Sequence, residues 1–373
     1  ITGINSSAGR DSSGGAGGLV NVNVAGDLVL VNGGQISSRS GGKGPAGKIM
    51  VHTGNLLLDG ELSVISSNAG ADSSSAGGVE ATVDDTLTLL NGSKISATSF
   101  GAGPSGDVTV HAGRAINILG VSLTPEGSVA PSGLFIDAHG TGQAGNLTVT
   151  TSTLSLADGG VIDARSEHSS GGNIGVHADH TLLQSGGKIS ASVYGDPQTQ
   201  GGDVIMNGDT LVILASPGPA NTPPTGITAR ATQGRGGNII INTDVFLHNA
   251  PSVDEVLNAS SEVLGNDGAV EVNAPDIDLS GSLTNLKSAY LDVAHHVNPR
   301  CFVGDRDERS HFLIHDRGAL PPGPDEAIPA PVSRCLPAEP LALASSAADV
   351  PTERPSPAPV AQPPAAVLGF NNR

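Results

Sequence analysis

The feature that most constrains this chain is a repeated unit, seen most completely between Gly171 and Ala191. Gly171-Gly172-Asn173-Ile174-Gly175-Val176 is followed by His180-Thr181-Leu182-Leu183 and closed by Gly186-Gly187-Lys188-Ile189-Ser190-Ala191. Aligned on its first inward-pointing apolar residue, the unit recurs at Val20, Ile49, Val79, Val108, Leu147, Ile174, Val204, Ile239 and Val270. The steps are 29, 30, 29, 39, 27, 30, 35 and 31 residues, a spacing that marks a solenoid and makes length a poor guide to domain count. Ile1-Thr2-Gly3-Ile4-Asn5-Ser6-Ser7 matches the closing segment of the unit, so the chain is expected to open inside an earlier copy.

Each unit reads as three short strands. The first alternates with period two, as in Gly145-Asn146-Leu147-Thr148-Val149-Thr150, which sends one set of side chains inward and the other outward. A second follows at Leu28-Val29-Leu30, Leu87-Thr88-Leu89, Leu154-Ser155-Leu156 and Leu211-Val212-Ile213, and a third at Gln35-Ile36-Ser37-Ser38, Lys94-Ile95-Ser96-Ala97 and Val161-Ile162-Asp163-Ala164. Three strands of about five residues close one triangular turn, whose apolar face is buried only by stacking on the next turn. Residues 1–286 are therefore expected to form an all-β parallel β-helix of about nine coils of roughly 30 residues plus a partial one, a rod of roughly 40 Å at about 4.8 Å per rung. A helical solenoid is the competing repeat reading, and frequent Gly and Asn with no 3.6-residue period count against it.

Composition agrees. With 52 Gly, no Trp, two Tyr and six Phe, the core must be thin layers of Val, Ile, Leu and Ala. A net charge of −18 with no Lys or Arg run argues against nucleic acid and against an anionic membrane surface, both of which need a basic footprint. No apolar run reaches the roughly 18 residues of a membrane span.

Three coils carry extra residues between their second and third strands: Leu119 to Gly133, Leu214 to Gly226 and His248 to Glu255. A shared position in the coil should bring them out on one edge of the rod. They read as tolerated surface loops, with a binding surface for a receptor or glycan as the alternative.

After Leu286 the repeat stops. Residues 287–318 form a charged segment, expected to cap the helix, with a strand at His311-Phe312-Leu313-Ile314. Residues 319–373 contain 13 prolines among Ala, Ser and Glu, a composition expected to stay disordered or extended.

The recurrent Gly-Asn-(Leu/Ile)-x-(Val/Ile), Leu-x-Leu, Gly-(Gly)-x-Ile-x-Ala pattern resembles the exoproteins of two-partner secretion, the filamentous-haemagglutinin and high-molecular-weight adhesin type. The C-terminal segment is similar in a more specific way. Cys301, then His311-Phe312-Leu313-Ile314, then Arg317-Gly318-Ala319-Leu320-Pro321-Pro322 resembles the Cys…Ser-Phe…Gly-Arg-Gly-Gly-Leu-Pro-Pro ending of that family. His311 stands where the family has Ser, and Ala319 where it has Gly. The resemblance implies a right-handed β-helix exported by an outer-membrane β-barrel transporter of a Gram-negative bacterium, then held at the cell surface or released. It also implies attachment to host or self surfaces through a glycan or protein. The family's secretion domain carries Asn-Pro-Asn signatures; none occurs here, so that domain is expected upstream of Ile1.

Cys301 and Cys335, the only cysteines, enclose 33 residues. A disulfide between them would restrain the unfolded chain by about 3 to 4 kcal/mol. The resemblance implies a second role, a closed loop that retains the protein in its transporter; free thiols remain the third reading. Zinc ligation by these cysteines and nearby histidines lacks any Cys-x-x-Cys or regular His spacing, and no cofactor or metal site is expected.

The rival function is a polysaccharide lyase or hydrolase, which needs carboxylates at defined separation. The candidates are Asp84-Asp85, Asp137 and Asp163. Asp84-Asp85 falls at a strand-to-strand turn equivalent to Gly26-Asp27 and Ala178-Asp179, where Asp serves the turn itself. Asp137-Ala138-His139-Gly140 has a passing likeness to the His-Gly of polygalacturonases, without their paired Asp or Arg-x-Lys. His52, His111, His177 and His180 fall outward or in turns, which suits a solvated face. The reading is a secreted or surface-exposed adhesin-like protein without catalysis, with an enzyme or a structural stalk as alternatives.

Overall fold

The Gly-x-(Val/Ile/Leu) run that opens each copy, with Asn or Asp at its middle in coils 4 to 8, does three separate jobs in the computed structural model, which describes residues 2–9, 15–124, 127–275 and 366–367. The apolar residue stacks. Val20 pairs with Ile49, Ile49 with Val79, and so on through Val108, Leu147, Ile174, Val204, Ile239 and Val270, every step parallel and in register. All but the last are buried. These nine residues define coils 1 to 9.

The glycine two residues earlier lets the coils approach. A Cβ on Gly47, Gly77, Gly106, Gly145, Gly172, Gly202, Gly237 or Gly268 would stand 1.9 to 2.5 Å from the carbonyl oxygen of the glycine one coil before it. No other residue fits that spacing. The Asn or Asp between them ties the coils together. The side-chain oxygens of Asp107, Asn173, Asp203 and Asn238 each accept from the backbone N–H of the equivalent residue in the next coil, at 2.7 to 3.0 Å.

The fold is an all-β parallel β-solenoid of about nine turns. The third strands build a nine-stranded sheet, from Thr2–Ala8 to Leu257–Asn258, whose inward column runs Ile36, Ile65, Ile95, Leu134, Ile162, Ile189 and Ile227, all fully buried. The first and second strands share the other large sheet. A two-residue strand, Ala366–Val367, pairs in parallel with Leu28 and Val29 in that sheet.

The expectation of three separate strands per coil needs correction. In coils 1, 2, 5, 6, 7 and 8 the first two strands are one bent strand, such as Ile49–Asp59, Leu147–Ala157 and Val204–Leu214. In coils 2 and 8 the bend is held by an inward Thr: Thr53 Oγ1 donates to Gly26 and Asn55 carbonyls, and Thr243 Oγ1 to those of Asp209 and Val245. Pairing therefore continues around the corner. Among the described residues only coils 3 and 4 interrupt it, at Asp84-Asp85 and Gly113-Arg114.

The turn from second to third strand uses two consecutive left-handed residues: Asn32-Gly33, Asn91-Gly92, Asp158-Gly159 and Ser185-Gly186. Asn, Asp and Gly tolerate that conformation. Insertions replace or extend this turn in coils 4, 7 and 8. The first contains an antiparallel hairpin, Val121–Leu123 with Val129–Pro131, and the third a single 3-10 turn at Val253–Glu255.

Candidate functional site

Because the third strands stack in register, their outward side chains form a grid. One column runs Asn5, Ser37, Ser66, Ser96, Phe135, Asp163, Ser190, Thr228 and Asn258. A second runs Ser7, Arg39, Asn68, Thr98, Asp137 and Arg165. A third lies just past the strand ends, where the backbone N–H groups of Gly70, Phe100, His139, Glu167 and Tyr194 each bond one coil back. In coils 1 and 2 these columns hold mostly Ser, Asn and Gly. In coils 3 to 6 they hold Phe100, Phe135, Asp137, His139, Asp163, Arg165, Glu167 and Tyr194, with Lys94 and Lys188 two residues before the first column.

Most of these charges are paired. Arg165 Nε donates to Asp137 Oδ1 at 2.6 Å, and the His139 ring nitrogen Nδ1 lies 2.7 Å from Glu167 Oε1. Phe100 stacks on His139, centroids 4.9 Å apart and planes 10° off parallel. Lys94 Nζ sits 5.5 Å above the Phe135 ring, a favourable cation–π arrangement. Phe100 and Tyr194 are 53% and 57% exposed, unusual for rings in a chain with so few.

Asp163 is the exception. Its Oδ1 is out of reach of solvent and has no hydrogen-bond partner. Burial, reinforced by the Asp137 charge, pushes its carboxyl up to about 6, against the pull of Arg165, Lys188 and the Ser190 hydroxyl. Lys188 beside it is lowered, chiefly by burial and further by Arg230, while Asp163 opposes. Burial works against the charge on Arg165, but Asp137 and Asp163 together hold it above its ordinary value. The patch thus offers donors, acceptors and rings over four coils. Among the described residues no group of His, Cys, Asp or Glu is arranged to hold a metal ion.

Of the carboxylates singled out in the sequence, Asp137 and Asp163 come together on this face and Asp84-Asp85 does not. Asp85 is clamped by Arg114, Nε to Oδ1 at 2.5 Å and Nη2 to Oδ2 at 2.8 Å, and that hydrogen bonding holds its carboxyl below the usual range. Asp84 Oδ1 lies 3.3 Å from His52 Nε2. His52, His111, His177 and His180 are all exposed. On their side of the solenoid the amides of Asn273, Asn242 and Asn207 form a ladder at 3.0 and 2.9 Å, ending on His177. Arg165, Lys188, Glu167 and Tyr194 escaped the sequence reading; stacking the third strands at their register would have found them.

The insertions cover turns. The first and second meet above Gly159 of coil 5, where an added Cβ would stand 2.6 Å from Val121 Cγ1 and 2.7 Å from Thr222 Cγ2. The third bonds to the second, Asn249 Oδ1 accepting from Ala215 N at 2.6 Å. Packed against backbone in this way, they act first as lids over glycine turns.

The expectations for Cys301 and Cys335, for the motif Arg317, Gly318, Leu320, Pro321 and Pro322, and for segments 287–318 and 319–373 lie outside the described residues, Ala366 and Val367 excepted. Among the described residues no helix is long and apolar enough to cross a membrane. No family model matches the chain, and no curated protein or solved structure is significantly similar to it.

Proposed function

We propose that this β-solenoid belongs to a secreted or surface-exposed exoprotein of the two-partner secretion type, handed across the outer membrane by a β-barrel transporter and acting by attachment to surface glycans without catalysis. The observation that carries the reading is the outer face of the third-strand sheet in coils 3 to 6. There the ion pair Asp137–Arg165 and the hydrogen-bonded His139–Glu167 present fixed donors and acceptors beside two exposed rings. Sugar hydroxyls are bound by such paired charges, and the apolar face of a pyranose stacks on an aromatic ring. Because Asp137 and Glu167 are already engaged by Arg165 and His139, that part of the face suits recognition better than proton transfer.

The test is a screen of the full chain on a glycan array and on bacterial and host cell surfaces, with a parallel assay for reducing or unsaturated sugar release. Saturable binding without product supports the reading, and absence of binding to every surface removes it. A second reading, polysaccharide cleavage, draws on Asp163, whose carboxyl held up to about 6 beside Asp137 is the environment a general acid needs. Product release that disappears in Asp163→Asn would establish it.

A further inference from the structure

The outward grid does not end at Phe100. Below it, toward coil 1, the column past the strand ends carries Gly70 and Gly41 in place of side chains, with Gly70 N bonded to Ser40 O and Gly41 N to Ala8 O. The missing side chains leave a depression of about 740 Å³, walled by Phe100 and lined by Arg39, Asn68 and Asp72. One face of the Phe100 ring is taken by His139 of coil 4, itself fixed by Glu167. The opposite face looks toward coil 2, where among the described residues Gly70 brings no side chain to cover it, and the ring is 53% exposed. Arg39 and Asp72, unlike Asp137 and Arg165, make no ion pair among the described residues.

We propose that this depression is a saccharide subsite, with a pyranose ring stacked on the free face of Phe100 and its hydroxyls held by Arg39, Asn68 and Asp72. The inference rests on the glycan-attachment reading above and gives it an address. The chemistry fits a sugar better than a peptide. A preorganised flat ring set over a glycine floor accepts a disc-shaped ligand edge to edge with polar groups, and a guanidinium, an amide and a carboxylate together match vicinal hydroxyls. The volume lies within the range of small-ligand sites, and successive sugars would run along the rod axis toward the Asp137–Arg165 and His139–Glu167 pairs of coils 4 and 5.

The chain contains no tryptophan, so Phe100→Trp places a lone reporter at the wall of the depression while keeping a stacking surface. Titration of that variant with maltotriose, cellotriose and trigalacturonate should give a saturable fluorescence change with at least one of them. In calorimetry, Phe100→Ala should weaken the same saccharide at least tenfold. Leu123→Ala, a control on the exposed insertion hairpin, should bind as wild type does. Both Phe100 and Leu123 are exposed, and circular dichroism would verify that each variant keeps its β-solenoid. Wild-type binding undiminished in Phe100→Ala overturns the subsite and leaves the attachment reading standing. Binding of none of the three, by a chain that does bind the array, likewise overturns the subsite as placed. No binding to trisaccharides, array or cells overturns both.

Discussion

The glycine column from Gly47 to Gly268 repeats one residue in every coil, whereas the outward column Ser37, Ser66, Ser96, Phe135, Asp163, Ser190 changes its chemistry halfway along. Both columns climb the same solenoid at the same rise. The first faces the backbone of the preceding coil at a distance no side chain can share. The second faces outward, where backbone pairing makes no demand on side-chain identity. The difference teaches where information can be stored in a solenoid. Positions fixed by coil-to-coil contact specify the fold, and positions released from it are open to a task. Concentration of charged and aromatic residues in coils 3 to 6 is then meaningful, because the fold does not require it.

The comparison can be broken most directly at Gly106. Alanine there would bring a Cβ to 2.2 Å from the Gly77 carbonyl oxygen, and the backbone of two coils must separate. The expected loss is about 4 kcal/mol, at the severe end for single substitutions, read as a fall in the chemical denaturation midpoint. A change indistinguishable from a surface substitution would mean that the coils are not so closely stacked. Leu134→Ala, in the inward column of the third strands and fully buried, should cost about 3 kcal/mol from lost burial and the cavity left behind.

The outward column is expected to respond through charge. Asp163 titrates higher in the folded chain, at about 6, than the ordinary Asp value of 3.8. A raised acid favours its protonated, folded form, so its stabilising contribution is complete below about pH 4 and is lost as pH rises through about 6. Wild type should therefore lose on the order of 2 kcal/mol across that window relative to Asp163→Asn, in which this dependence is absent. Denaturation midpoints of both proteins at pH 4, 5 and 7 would check the sign; parallel pH profiles would contradict it. The smallest effect is expected at the exposed pair Arg114–Asp85, where Arg114→Ala should leave the midpoint unchanged, since solvent screens such a bridge.

Legibility from the sequence followed the same division. The nine register residues from Val20 to Val270 could be read because burial repeats an apolar type at a fixed spacing, and each pairs in the structure with its neighbour. The fusion of first and second strands could not be read. In coils 2 and 8 inward hydroxyls, Thr53 and Thr243, bond across the bend, and a Thr in an alternating strand looks the same whether it points in or out. The candidate face was half legible. Asp137 and Asp163 drew attention as acids on third strands, but Arg165, Lys188 and Glu167 matter only through neighbours one coil away, about 28 residues distant in sequence. Their partners become visible only when coils of unequal length are stacked by strand register, as with Asp137–Arg165 and His139–Glu167.

The account turns on the outward grid of coils 3 to 6 carrying recognition while the stacked columns carry the fold. The most direct measurement compares glycan-array binding by the full chain with binding by a variant carrying Phe100→Ser, Asp137→Asn, Arg165→Asn and Tyr194→Ser, which removes both exposed rings and the Asp137–Arg165 pair from those coils. The variant should keep the β-rich circular dichroism spectrum and a cooperative unfolding transition while losing saturable binding. Undiminished binding by that folded variant would contradict the account and move recognition to another face of the solenoid.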